Sequence, residues 1–323
     1  ERPFRLSELK DPDTVFIDLR TQEDFLKSHL RTAIHLPLPE AGANKTQLEK
    51  IFNKSGLQEL LVHYHVREDP LCLVLYASQP SYFMQDIPRL LHYHKEFFSS
   101  FSHQLYILSD GFANIKTDSE ICFSSDTFRK TLPVEDVQQS ATSISENLFL
   151  GAMSDAESAE FIQQENIEVL VNVSREMYDP PANVKYVQIA IEDQNEIRFL
   201  ELLQTICDIL QEHVEAKRKI LLFSPQGRNR AAAVALHYVM KKERWSLYQA
   251  FKHITDAGKN ILPCILYIRY LLEMESVLFP GIFPSIPLRL YILHYLNHEP
   301  LEEGMKFLGY SEDHSNTATP QSS

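Results

Sequence analysis

The segment from Ile220 to Arg230 combines residue types that can bind a phosphate group. An apolar run, Ile220 to Phe223, leads into a short polar loop, and an alanine-rich stretch typical of a helix follows directly. In such a strand–loop–helix arrangement, the loop N–H groups converge and the helix dipole adds partial positive charge. Arg230 can bind two oxyanion oxygens, and Gly227 allows a turn that strains other residues. The sequence predicts an anion cradle, against the alternative of an ordinary turn with a surface arginine.

This segment resembles the phosphate loop of the cysteine-dependent dual-specificity phosphatases, which reads His-Cys, five residues, Arg and a hydroxyl residue. With Gly227 and Arg230 aligned, Ser224 occupies the cysteine position and Phe223 the histidine position, while Ala231 follows the arginine. The resemblance implies a set of phosphate-binding residues. They are Ser224, Gln226, Gly227, Arg228, Asn229 and Arg230.

The resemblance to these phosphatases extends over about residues 141–280. Asn147 to Gly151 resembles the opening strand of the family, and Leu170 to Val173 resembles its first parallel strand. Asp193, just after the predicted strand that ends at Ile191, falls where the family has its general acid. The resemblance implies an α/β domain over residues 141–285, with a central sheet flanked by helices.

The differences from that family concern the chemistry itself. A cysteine thiolate attacks phosphorus in the family, and its ordinary pKa of about 8.5 falls further in a positive cradle. The Ser224 hydroxyl ionises far less readily and needs an adjacent base, which Phe223 is not. Ala231 lacks the hydroxyl that helps the family's intermediate break down, and Pro225 lacks a backbone N–H. We therefore expect a pseudophosphatase with no catalytic residue.

The sequence raises three alternatives to a catalytically silent phosphate reader, of which the first two stay open. A weak phosphatase would use Asp193 and water, since Asp193 and Arg230 are both retained. A pure scaffold would carry a vestigial loop and bind partners through its first domain or through Leu288 to Leu296. A serine hydrolase at Ser224 is disfavoured, because the sequence has no Gly-x-Ser-x-Gly elbow there and indicates no histidine partner.

The first part of the chain resembles the rhodanese family. Ile17 to Arg20 fits a strand ending in Asp-x-Arg, His29 follows a helix, and Leu108 to Phe112 resembles the closing Gly-Phe turn. Active rhodaneses carry a cysteine after the central strand, but here that strand ends Leu75 to Ser78, without a thiol, and Cys72 is predicted to be a core residue. The resemblance implies an α/β domain over residues 1–116 that does not transfer sulfur.

A rhodanese-like domain before a dual-specificity domain resembles the layout of the MAP kinase phosphatases, whose first domain docks a kinase through a basic cluster. The corresponding stretch, Leu38 to Phe52, contains only Lys45 and Lys50, beside Glu40 and Glu49. Such a surface is normally just solvated, so docking by this route is not expected.

The degenerate loop, together with the inert first domain, resembles the serine/threonine/tyrosine-interacting pseudophosphatases of this group. That resemblance implies an adaptor in MAP kinase signalling and in stress-granule regulation. It further implies phosphorylated proteins, signalling phosphatases or kinases as partners. The implied location is cytoplasmic, with a mitochondrial association as an additional implication.

Composition excludes several other functions. Lys and Arg number 31 against 44 Asp and Glu, a formal charge of −13, so nucleic acid is not an expected partner. No apolar stretch reaches about 18 residues, so no membrane span is predicted. Four widely separated cysteines predict free thiols rather than zinc or disulfides. The triplets His63 to His65 and His92 to His94 are interpreted as ordinary histidines, so no metal and no cofactor are expected.

Apolar periodicity predicts the elements that position these residues, in a two-domain α/β fold. Predicted strands are Val15–Ile17, Leu71–Tyr76, Leu105–Leu108, Leu148–Leu150, Val169–Val173, Tyr186–Ile191 and Ile220–Phe223. Predicted helices include the stripe Phe199, Leu203, Ile206 and Leu210, then Ala231–Lys242, a helix capped at Ser246, Ile265–Leu278 and Leu288–Leu296. Residues 117–140 are predicted to be a linker, and 286–323 an extension that is partly disordered, with a polar tail from Ser311.

Overall fold

The structure is a computed structural model that describes residues 11, 14–37, 45–66, 71–78, 103–108, 112, 122–123, 140–191, 196–280 and 284–310. Contacts between Cα atoms divide these residues into two compact units. The first unit contains the described residues up to Phe123 together with those from Pro287 to Tyr310. The second contains those from residue 140 to Ile286.

The first unit is built on a parallel sheet of four strands. Its elements are β1 (Thr14–Asp18), α1 (Gln22–Lys27), β2 (His29–Leu30), β3 (Ile34–His35), α2 (Lys45–Lys54), α3 (Leu57–Val66), β4 (Leu71–Tyr76), β5 (His103–Ile107) and β6 (Cys122–Phe123). The sheet order is β3-β1-β4-β5. All five residues of β1 are buried, as expected for a strand with both faces covered.

The second unit is built on a mixed sheet of five strands. Its elements are β7 (Thr142–Ser145), β8 (Leu148–Ala152), α4 (Met153–Glu157), α5 (Ala159–Glu165), β9 (Val169–Asn172), β10 (Lys185–Gln188), α6 (Glu196–Glu215), β11 (Ile220–Ser224), α7 (Arg230–Glu243), α8 (Leu247–Asp256) and α9 (Ile265–Leu278). The order is β10-β9-β11-β8-β7, with only β7 antiparallel to its neighbour. The predicted two-domain α/β architecture is confirmed.

Local sequence patterns account for most of these elements. The four apolar positions of the predicted stripe on α6, from Phe199 to Leu210, are all buried. Ser246 caps α8 with the predicted capping box, in which its hydroxyl accepts from the N–H of Gln249 and the Gln249 side chain accepts from Ser246. Ten consecutive residues of α7, from Ala231 to Met240, are buried, so this helix is central to the unit.

The structure differs from two predictions, one about a strand and one about a linker. The run from Tyr186 to Ile191 was interpreted as a strand buried on both faces, but β10 ends at Gln188 and its side chains are half-buried or exposed. Among the described strands, β10 lies at the edge of the sheet, with a neighbour on one side only. Residues 117–140 were predicted to be a linker, yet β6 lies within them and pairs antiparallel with β2, because Cys122 packs into the core of the first unit.

The helix predicted at Leu288–Leu296 is present within the extension over residues 286–323, and its packing, which the sequence left open, is now defined. The extension contains helices α10 (Leu288–Asn297) and α11 (Leu301–Leu308), which belong to the first unit. Arg289 is buried and donates from Nη1 to the carbonyl oxygen of Thr14 at 2.5 Å, and Nε2 of His29 lies 3.2 Å from the Glu299 carboxylate. Six consecutive residues of α10 are buried, which a solvated extension would not show.

Candidate functional site

The predicted anion cradle lies at the carboxyl edge of the second sheet. Strand β11 ends at Ser224, and helix α7 begins at Arg230 after five intervening residues. In the sheet register Ser224 lies opposite Ala152 at the end of β8, and Phe223 lies opposite Asn172 at the end of β9. Three strand ends therefore converge beside one helix start, which is the usual place for a ligand in an open α/β sheet.

Ser224 lies beneath the start of α7. It is 2% exposed, and its Oγ accepts a hydrogen bond of 3.4 Å from the backbone N–H of Ala231. The carbonyl oxygen of Ser224 accepts from the N–H of Gly227 at 3.1 Å, which closes the first turn of the loop. Within the described residues, no histidine or carboxylate shares a hydrogen bond with the Ser224 hydroxyl.

Phe223 belongs to the hydrophobic core. It is fully buried, and its ring makes an edge contact with Tyr178, with the ring centroids 5.6 Å apart and the planes at 75°. The same core cluster contains Leu170 and Leu221. The side chain before Ser224 thus supplies packing and offers no proton acceptor.

Gly227 allows the loop to lie directly on β8. Its φ of +70° is in the left-handed region, and an added Cβ would stand 2.4 Å from the carbonyl oxygen of Gly151. The carbonyl oxygen of Pro225 accepts from the N–H of Met153 at 3.3 Å, which fastens the loop to the start of α4. A residue with a side chain at 227 would have to move the backbone of one partner.

The second half of the loop is held by the segment that precedes α9. The N–H of Leu262 donates to the carbonyl oxygen of Arg228, and the N–H of Cys264 donates to Oδ1 of Asn229, both at 2.8 Å. The Asn229 side chain therefore fastens the loop. Within the described residues, the backbone N–H groups of Gln226 and Asn229 have no acceptor, so both can serve an anion.

Arg230 contacts a carboxylate that the sequence analysis did not single out. Its Nη2 lies 3.2 Å from Oε1 of Glu176, in the turn after β9. The Arg230 side chain is 14% exposed and that of Glu176 is 46% exposed. The neighbouring Ser174 and Arg230 side chains lower the pKa of Glu176, so the carboxylate is ionised at neutral pH.

The buried side chain of Asn172 holds this turn in place. Its Oδ1 accepts from both the N–H and the hydroxyl of Ser174, at 2.9 and 2.6 Å. Its Nδ2 donates to the carbonyl oxygen of Glu176 and to the hydroxyl of Tyr186, each at 3.1 Å. Gln188 also donates to the carbonyl oxygen of Glu176 at 3.2 Å. Polar residues directly after β9, the neighbour of β11, were the signal available in the sequence.

Comparison with known families identifies both halves of the chain. Residues 148–277 match the family described as dual specificity phosphatase, catalytic domain, and residues 5–118 match the rhodanese-like domain. The chain joins a rhodanese-like domain to a dual-specificity phosphatase-like domain. The phosphatase-like match contains the loop, Glu176 and Asn172, so the site lies within it.

Individual relatives are distant. Human dual specificity protein phosphatase 16 is 24% identical over 294 residues, covering 85% of this chain and 43% of that protein. Human dual specificity protein phosphatase 5 is 28% identical over 135 residues, covering 42% of this chain and 35% of that protein. This chain therefore spans less than half the length of either relative.

Solved structures resemble the phosphatase-like half. Human DUSP28 has 27% identity and a TM-score of 0.41, covering 43% of this chain and 95% of that one. The human tyrosine phosphatase-like serine/threonine/tyrosine-interacting protein has 21% identity and a TM-score of 0.39, with 43% and 97% coverage.

Asp193, the predicted counterpart of the general acid, lies outside the described residues. The second histidine triplet, His92 to His94, also lies outside them, while His63 and His65 are on α3. The part of the chain that the structure describes contains no group of three His, Cys, Asp or Glu side chains arranged to hold a metal ion. None of its helices is both long and apolar enough to cross a membrane.

In the rhodanese-like domain, the Asp-x-Arg pair forms a buried clamp. Nη2 of Arg20 lies 2.6 Å from Oδ2 of Asp18 and donates to the carbonyl oxygen of Ser28, also at 2.6 Å. The guanidinium carbon lies 3.7 Å from the centre of the Phe112 ring. Asp18 is fully buried and Arg20 is 8% exposed, and the Arg20 guanidinium joins the end of β1 to the residue that follows α1.

Proposed function

We propose that this chain is a catalytically silent pseudophosphatase that acts as an adaptor in phospho-signalling. It would bind phosphorylated proteins through the loop from Ser224 to Arg230, or occupy partners of active phosphatases. The observation that carries the proposal is the buried Ser224 hydroxyl at the nucleophile position, with Phe223 beside it in the core.

The chemistry of the Ser224 side chain supports the absence of catalysis in this proposal. A thiolate forms readily in a positive cradle, whereas an alcohol needs a general base to remove its proton. The N–H of Ala231 donates a hydrogen bond to the Ser224 hydroxyl oxygen and would stabilise negative charge there. As a donor, this N–H cannot remove the hydroxyl proton. Ala231 itself has no hydroxyl to assist the breakdown of an intermediate.

Phosphate binding has separate support. The N–H groups of Gln226 and Asn229, the start of α7 and the guanidinium of Arg230 together offer donors to an oxyanion. Pro225 has no N–H, so we expect weaker binding than in a loop with a complete set of amides. In the proposed role, the chain therefore binds phosphorylated proteins but does not hydrolyse the phosphate.

The inert rhodanese-like domain and the Phe-Ser start of the loop resemble MK-STYX, the serine/threonine/tyrosine-interacting-like pseudophosphatase. By that resemblance, we extend the proposal to MAP kinase signalling, stress-granule regulation and a cytoplasmic location with mitochondrial association. The loop differs at Arg228, Asn229 and Ala231 from the Gly-x-Ser-Arg-Ser pattern, so the partners are to be found by experiment.

The test is calorimetric titration of the full chain with phosphotyrosine and phosphothreonine peptides, using Arg230→Met as the control. Binding that Arg230→Met abolishes supports a phosphate reader. Hydrolysis of an aryl phosphate by the wild-type chain, lost in Asp193→Asn, would contradict the proposal and indicate a weak phosphatase.

One observation favours a second candidate, a scaffold with a vestigial loop. Arg230 already contacts Glu176, so its charge is partly neutralised within the domain. If no phosphopeptide binds, partners are expected to use the rhodanese-like domain or the helix Leu288–Asn297. Undiminished partner capture after deletion of those segments would exclude this candidate.

A further inference from the structure

The turn that carries Glu176 is both rigid and accessible. Asn172 and Gln188 hold its backbone through the carbonyl oxygen of Glu176, while the Glu176 side chain remains 46% exposed. The next residue, Met177, is 90% exposed, so the turn faces solvent. A ligand that reaches Arg230 therefore meets a fixed carboxylate at the rim of the cradle.

The contact between Arg230 and Glu176 is weak enough to be exchanged. It joins one guanidinium nitrogen to one carboxylate oxygen at 3.2 Å, in contrast to a bidentate pair, and the carboxylate is half in solvent. Partly exposed ion pairs of this kind contribute about 1 kcal/mol or less. A phosphate held by Arg230 and the loop amides can compete with such a pair.

Binding of a phosphate group to Arg230 changes the electrostatic environment of the Glu176 carboxylate. Before binding, Glu176 is compensated by Arg230 at 3.2 Å. Once a phosphate dianion binds Arg230, Glu176 loses the partner that it has at 3.2 Å and lies beside a negatively charged group. The repulsion is relieved when the ligand itself brings a cation to the rim, and it grows when the ligand brings another acid.

We propose that Glu176 selects phosphorylated segments that carry Lys or Arg next to the phosphorylated residue. This inference rests on the proposed phosphate-reading function and names the class of ligand that it takes. Glu176 is a specificity-determining residue here, since it acts on the residues that flank the phosphate while Arg230 holds the phosphate itself.

The test compares two fluorescein-labelled phosphotyrosine peptides, identical except for Lys or Glu on both sides of the phosphotyrosine. Their binding to the full chain is measured by fluorescence anisotropy. We expect the wild-type chain to prefer the Lys-flanked peptide by about fivefold, the upper size of one partly exposed ion pair. In Glu176→Gln, which keeps the side-chain size and an acceptor for Arg230, the ratio should fall towards one.

Glu212→Gln is the matched control for the loss of one negative charge from an acidic chain. Glu212 is exposed on α6, close to its end at Glu215, and β11 starts at Ile220, so Glu212 lies at the amino edge of the sheet, away from the loop. The peptide preference should persist in this variant.

The possible outcomes distinguish a failure of the Glu176 selectivity from a failure of the proposed phosphate binding. Arg230-dependent binding with no preference in the wild type, or with a preference unchanged in Glu176→Gln, overturns the selectivity and leaves the phosphate reader standing. Absence of Arg230-dependent binding to either peptide removes the phosphate reader and the selectivity together.

Discussion

The backbone N–H of Ala231 donates to the hydroxyl oxygen of Ser224 at 3.4 Å, across seven positions of the chain. The contact places the hydroxyl at the positive end of the dipole of α7, where a thiolate would be stabilised. An alcohol gains too little from this environment to ionise, because its proton still needs an acceptor. This contact is the basis for the proposal that Ser224 does not act as a nucleophile.

Restoring the two missing side chains should restore little turnover. We expect Phe223→His with Ser224→Cys to remain far slower on an aryl phosphate than an active dual-specificity phosphatase. Pro225 still withholds an N–H from the cradle, and Ala231 still lacks a hydroxyl. Phe223→His also exchanges a buried ring packed on Tyr178 for a polar one, at a cost of about 2–4 kcal/mol.

Steady-state kinetics on the double variant, with Ser224→Cys alone for comparison, check this expectation. Turnover close to that of an active phosphatase would show that Pro225 and Ala231 matter less than their chemistry indicates.

Gly227→Ala should destabilise the second unit far more than Gly258→Ala. Both glycines have positive φ, +70° and +92°, so both variants carry about 1–2 kcal/mol of backbone strain. Only at 227 does the new Cβ collide with a carbonyl oxygen, that of Gly151, whereas at 258 nothing lies within 4 Å. We expect a loss of more than about 3 kcal/mol for Gly227→Ala.

Urea unfolding followed by the fluorescence of Trp245 measures this difference, because the chain has one tryptophan and it lies in the second unit. Equal losses in the two variants would mean that the loop does not pack on β8 as described.

The second unit should lose stability as the pH falls from about 6.5 to 4. Burial lowers the pKa of His237 from its ordinary value of 6.5 to about 4, and the nearby charge of Lys241 adds to the effect. In that window the unfolded chain binds a proton at this position and the folded chain does not, so stability is present above pH 6.5 and is lost towards pH 4. The full effect is about 3 kcal/mol.

Denaturation of wild type and His237→Leu at several pH values checks the assignment. The variant should show a flatter dependence, with a remainder from His213, whose pKa burial also lowers. Parallel curves for the two proteins would exclude His237 as the source.

Removal of residues 287–323 should destabilise the first unit selectively. Helix α10 buries Arg289 against Thr14 and contributes an apolar face to the unit, so its loss exposes core side chains and should cost about 3 kcal/mol or more. Hydrogen exchange of the β1 and β4 amides should accelerate, while the Trp245 transition stays unchanged.

The matched control removes only residues 311–323, which lie outside the described residues. Exchange that is as fast in this shorter truncation as in the longer one would contradict a structural role for α10 and α11.

Local sequence patterns predicted the positions of most of the strands that form the two sheets and of the helix that follows the loop. The apolar runs gave the positions of β1, β4, β8, β9 and β11, and the stripe from Phe199 to Leu210 gave the buried face of α6. The capping box at Ser246 was predicted from four consecutive residues. Ser224 and Phe223, at the cysteine and histidine positions of the loop that the segment resembles, could also be identified from the sequence, because they depend only on residue type and spacing.

Only the tertiary structure decided which distant residues meet. Glu176 contacts Arg230 across 54 positions, and Glu299 contacts His29 across 270, separations over which no periodic pattern operates. The same holds for the edge position of β10, which depends on the order of strands, and for the return of α10 to the first unit. Spacing along the chain sets local hydrogen bonds and faces, whereas these relationships follow from how complete elements bury their apolar surfaces against one another.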